Sequence, residues 1–130
     1  MKKFIVLGLL MSTTLMAAPL PKELKCTSNG TSENVRSFSI VGLATTHPDL
    51  TITDASPMGF EIRDGVMSIG VSNECDNDYG LEISINELDE YLSGKRATVT
   101  GKLTYSDVSL SEARNTEEAV EETVEITCRR

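Results

Sequence analysis

Apolar and polar residues alternate with a period of two through most of the chain after residue 34, the pattern of strands with one dry face and one wet face. Residues 97–105 show it most clearly: Ala97, Val99, Gly101, Leu103 and Tyr105 fall on one face, Thr98, Thr100, Lys102 and Thr104 on the other. A second signal is Asp64-Gly65, set between the runs 60–63 and 66–71. That dipeptide suits a two-residue hairpin turn, because both of its residues tolerate positive φ. In the resulting register Arg63 faces Val66 and Ile62 faces Met67, so Phe60, Ile62, Met67, Ile69 and Val71 line one face.

Further strands are expected at 24–27, 35–43, 50–53, 81–85 and 123–129, about eight in all. One helical turn is expected at 86–93, with Asn86 as its cap, Ile85, Leu88 and Leu92 at helical spacing, and Gly94 ending it. Many short strands, Gly-containing turns and little helix predict an all-β fold, either a small antiparallel β-sandwich or a closed barrel of about eight strands. The outward faces carry Thr, Ser, Lys and Glu, which argues against a barrel embedded in lipid.

The beginning of the chain follows a different pattern. Lys2 and Lys3 precede the apolar stretch 4–11, and the small residues Ala17 and Ala18 mark a cleavage site after Ala17. This is the make-up of a secretory signal peptide covering residues 1–17, with a single β domain over 18–130. The apolar stretch is too short to cross about 30 Å of hydrocarbon, so no membrane insertion of the mature chain is expected. The destination is a periplasm or the extracellular space, where cysteines pair. Three are present, Cys26, Cys75 and Cys128, so one is left over from any single bridge. Cys26 shares a face with Leu24, and Cys128 shares one with Val124 and Ile126, which makes Cys26–Cys128 the preferred pair. A bridge from Cys75 to either terminal cysteine is the alternative. Glu74, Asp76 and Asp78 beside Cys75 disfavour a thiolate there and hence a nucleophilic role.

A chain of 130 residues, 39% hydrophobic and 25% charged, is long enough to build one core. Its net charge is -8, and loss of residues 1–17 leaves 10 basic residues against 20 acidic ones. With no basic run after residue 3, the chain is poorly equipped for nucleic acid or an anionic membrane surface. The acidity is uneven, since residues 112–125 hold six glutamates and one arginine. Such a run is ordinarily a solvated face, but Glu117, Glu118, Glu121 and Glu122 are candidates for docking a basic protein partner.

Catalytic chemistry has little to work with. His47 is the only histidine, it sits beside Pro48 and Asp49, and no nucleophile motif accompanies it. Oxygen ligands gather in residues 73–82, where Gly80 would allow a tight turn; Asp76, Asp78 and Glu82 are the candidate metal ligands, and calcium is the cation they suit. The EF-hand pattern is broken, however, because Leu81 stands where its glycine is required. Asn29-Gly30-Thr31 reads as an Asn-Gly turn after the first strand. Without a cofactor motif or catalytic constellation, the expectation is an exported, non-catalytic binding or inhibitor module acting on another envelope or extracellular protein. The alternative is a structural or calcium-binding envelope protein using its acidic loops.

Overall fold

The computed structural model describes residues 21–52, 55–73 and 77–130. The expected signal peptide, Cys75 and the candidate ligand Asp76 lie outside these residues. Among the described residues eight strands form one antiparallel sheet: β1 (Glu23–Ser28), β2 (Ser37–Val41), β3 (Asp49–Leu50), β4 (Ser56–Arg63), β5 (Val66–Ser72), β6 (Asp78–Ser84), β7 (Val99–Ser106) and β8 (Glu122–Arg129). Their spatial order is β3-β2-β1-β8-β7-β6-β5-β4. Every neighbour in this order is a neighbour in sequence except β1 and β8, the first and last strands, which pair with each other. The sheet is therefore an up-and-down meander rolled into a nearly closed barrel, with its seam between β3 and β4.

The alternating pattern sets the inward face. Leu81, Ile83, Leu103, Tyr105, Ile126 and Cys128 are all at most 1% exposed. Cross-strand rungs such as Ile69–Leu81–Leu103–Val124 run around the barrel. Cys26 and Cys128 are directly opposed on β1 and β8 and form a disulfide joining the terminal strands. A buried bridge of this kind belongs to an oxidising, exported compartment. Among the described residues no helix is long and apolar enough to cross a membrane.

Among the described residues two short α-helices close the ends. Helix α1 (Ile85–Leu92) packs Leu88 against one end of the core. Its cap is Ser84, whose hydroxyl accepts from the Glu87 N–H, rather than the expected Asn86; Gly94 follows the helix at φ 84° as anticipated. Helix α2 (Val108–Ala113), with Leu110 fully buried, lies at the other end beside a 3-10 turn at Glu33–Val35. Neither α2 nor the 3-10 turn follows from the alternation. Val35, expected in a strand, is in that turn. Ala97 falls outside β7 and is exposed. Gly30 supports no positive-φ turn. A Cβ there would lie 2.3 Å from Val35 Cγ2, so the glycine is required by close approach.

Candidate functional site

Two carboxylates organise the α2 end of the barrel. Asp107 caps α2, accepting from the Leu110 N–H at 2.7 Å through Oδ1. Its Oδ2 accepts from Ser32 Oγ at 2.9 Å, Tyr79 Oη at 2.9 Å and Asn34 Nδ2 at 3.2 Å. Glu122 follows the inward parity of Val124, Ile126 and Cys128 and is opposed to Tyr105. Its Oε1 accepts from Tyr105 Oη at 2.5 Å and the Thr31 N–H at 2.9 Å, and its Oε2 from Thr31 Oγ1 at 2.7 Å and Arg114 at 2.9 Å. The Tyr105 hydroxyl in turn accepts from the Ser32 N–H at 3.1 Å.

The electrostatics follow from these contacts. Burial would raise the Glu122 carboxyl, but its donors from Tyr105, Thr31 and Arg114 outweigh that effect and hold it at about 2. Burial, reinforced by the Glu122 carboxylate, pushes Tyr105 up to about 12. Tyr79 is also raised, by burial and then by Asp107. Both phenols stay protonated donors, and both carboxylates have their acceptor positions filled. Among the described residues no buried side-chain nitrogen or oxygen lacks a partner. This is the chemistry of a fastening that joins the β1–β2 connection, β6, β7, α2 and β8. Beside α2 an open cleft of about 380 Å³ is lined by Asn77, Asp107, Val108, Ser111, Glu112 and Glu117, among others.

The candidates read from the sequence are dispersed. Glu117, Glu118 and Glu121 are exposed on the connection leading into β8. Glu122 is removed from that docking group, because its side chain is only 16% exposed and is held by the contacts above. Asp78 and Glu82 both stand exposed on the outer side of β6, about 13 Å apart along the strand at 3.3 Å per residue. Gly80, expected in a turn, is inside that strand, and the Asn73 N–H donates to the Asn77 carbonyl at 3.0 Å between β5 and β6. Among the described residues no group of three metal-binding side chains assembles. His47 is exposed in the β2–β3 connection.

The feature that stands apart is β4. Among the described residues it hydrogen-bonds to β5 alone, and all eight of its residues are exposed. β3, the other margin of the seam, approaches both β5 and β4 without pairing with either. The expected hairpin is present, with Asp64 at φ 53° and Gly65 at φ 77° and the register Arg63↔Val66, Ile62↔Met67, Phe60↔Ile69. Met67 and Ile69 are buried at 4% and 1%, whereas their partners Ile62 and Phe60 are 44% and 40% exposed. Met58, beside a bulge between Pro57 and Gly59, is 70% exposed. Three of the four large hydrophobic residues exposed among the described residues therefore sit on one strand, and that strand is an edge.

The backbone direction can also be assigned. The Ile85 N–H donates to the Gly65 carbonyl at 2.8 Å, so odd residues of β5 bond toward β6 and even ones toward β4. Through the paired register, Glu61 and Arg63 bond to β5, while Phe60 and Ile62 direct their N–H and C=O groups at the free edge. Pro57 was the signal available in the sequence, since proline within a strand marks an edge. No family model, no curated protein and no solved structure matches the chain.

Proposed function

We propose that the protein is an exported, non-catalytic binding module, periplasmic or secreted, which acts on another envelope or extracellular protein through the free edge of β4. The observation that carries this reading is the coincidence of a backbone edge unpaired among the described residues with the exposed side chains Met58, Phe60 and Ile62. An extended segment of a partner gains main-chain hydrogen bonds by adding to such an edge, and alternate apolar side chains supply the specificity. Native edges are ordinarily blunted with charge and proline. Here Pro57, Glu61 and Arg63 do so in part, while the apolar strip is left open. Glu117, Glu118 and Glu121, exposed at the α2 end, steer a basic partner and make its association salt-sensitive.

Photo-crosslinking tests this directly. A photoreactive aromatic amino acid at position 60 is expected to capture one discrete non-self protein in the native envelope or culture fluid. The same group at position 125, on the exposed side of β8, serves as the control. Absence of any non-self product from position 60, or an identical product from position 125, would contradict the assignment.

A further inference from the structure

The β4 edge is complementary to itself, and we propose that in the absence of its partner it pairs with the β4 edge of a second copy, an association that the partner must displace. The proposal rests on the edge-binding function above and adds how the site is regulated. Two copies related by a two-fold axis would align their β4 strands antiparallel, the isologous arrangement of most dimers. Because Phe60 and Ile62 direct their backbone groups outward, only registers that pair even residues with even residues form hydrogen bonds across the axis.

Three such registers bring the apolar residues together. Centring on Glu61 sets it against Glu61 of the second copy, and directly opposed like charges destabilise a ladder. Centring on Phe60 runs the pairing into the bulge at Pro57 and Gly59, where proline has no N–H to give. Centring on Ile62 sets Ile62 against Ile62 and places each Glu61 opposite Arg63 of the other copy. The two Phe60 side chains then lie diagonally beside the isoleucine pair, within reach of aromatic contact. Glu61 and Arg63 now satisfy each other within one strand at 3.1 Å, with side chains 53% and 74% exposed, so both are free to change partners. One register thus joins the apolar residues on one face with two cross-strand ion pairs on the other. The contact is small, and it is expected to be weak and reversible.

Sedimentation of the mature protein at physiological salt, from about 10 µM to about 1 mM, is expected to show a concentration-dependent monomer–dimer equilibrium. Glu61→Arg and Arg63→Glu each convert both cross-strand pairs into repulsions and should weaken the dimer about tenfold or more. Mixing the two variants restores complementarity at both pairs, so an equimolar mixture should recover the wild-type association while neither variant alone does. Circular dichroism of each variant confirms that the exposed substitutions leave the barrel folded. A wild-type protein monomeric throughout the range, single variants that dimerise like wild type, or a mixture that fails to recover would each overturn the proposal. A monomer that still crosslinks a partner from position 60 overturns self-pairing alone. A dimer with no crosslinked partner overturns the binding function alone.

Discussion

At the scale of single residues, the decisive groups are Glu122 and Asp107, each a carboxylate accepting four hydrogen bonds at one barrel end. The depressed Glu122 value means that its stabilisation is fully present above the unfolded value of about 4.5 and is lost as pH falls toward about 2. Glu122→Gln should cost about 2 kcal/mol near pH 6, and the gap to wild type in chemical denaturation should close between pH 4.5 and 2. For Tyr105 the sign is reversed: protection is present below pH 10 and is lost as pH climbs toward about 12. Asp107→Ala removes a helix cap and leaves buried Tyr79 and Ser32 hydroxyls without their acceptor; we expect a loss of about 3–5 kcal/mol in the same measurement. Glu122 was legible in part. Its parity with Val124, Ile126 and Cys128 points it inward, but grouping by charge assigns it to a solvated acidic face. Nothing local shows that Tyr105, Thr31 and Arg114 converge on it, because Thr31 is 91 residues away in sequence.

At the scale of elements, the strands were readable wherever one face is dry. The Asp64-Gly65 hairpin and its register follow from turn chemistry and alternation together, and both are observed. The pattern misled at β4, where an apolar alternation equal to that of β5 implies burial that the edge position denies. Burial depends on what lies across the seam, which no local pattern contains. Met67→Ala should therefore cost about 2–4 kcal/mol, whereas Ile62→Lys, at the directly opposed position, should cost less than about 1 kcal/mol; thermal unfolding separates the two. Helix α2 has little signature in the sequence because six residues make fewer than two turns and Val108 and Leu110 are spaced as in a strand. Its one local signal was Asp107 three residues before Leu110, the geometry of an N-cap.

For the whole molecule, the circular order of the strands explains why the chain ends are bridged. A meander closes by pairing its first strand with its last, so Cys26 and Cys128, on the inward faces of β1 and β8, meet although 102 residues separate them. A closed loop of that length limits the unfolded chain by roughly 4–5 kcal/mol in the entropy model, so the Cys26→Ala/Cys128→Ala variant should melt well below wild type. The inward parity of the two cysteines was visible in sequence, but the choice of barrel over sandwich was not, since both present the same alternation. The same closure leaves β4 as one margin of the seam, and the functional account depends on that edge being free in the single chain. Residue-resolved amide hydrogen exchange of the dilute protein tests it most directly. Phe60 and Ile62 should exchange rapidly while the neighbouring Glu61 and Arg63 amides, bonded to β5, are protected, and the contrast should fade as the concentration rises. Equal protection of all four amides at high dilution would mean that the edge is already covered, and the account of β4 as the binding surface would be wrong.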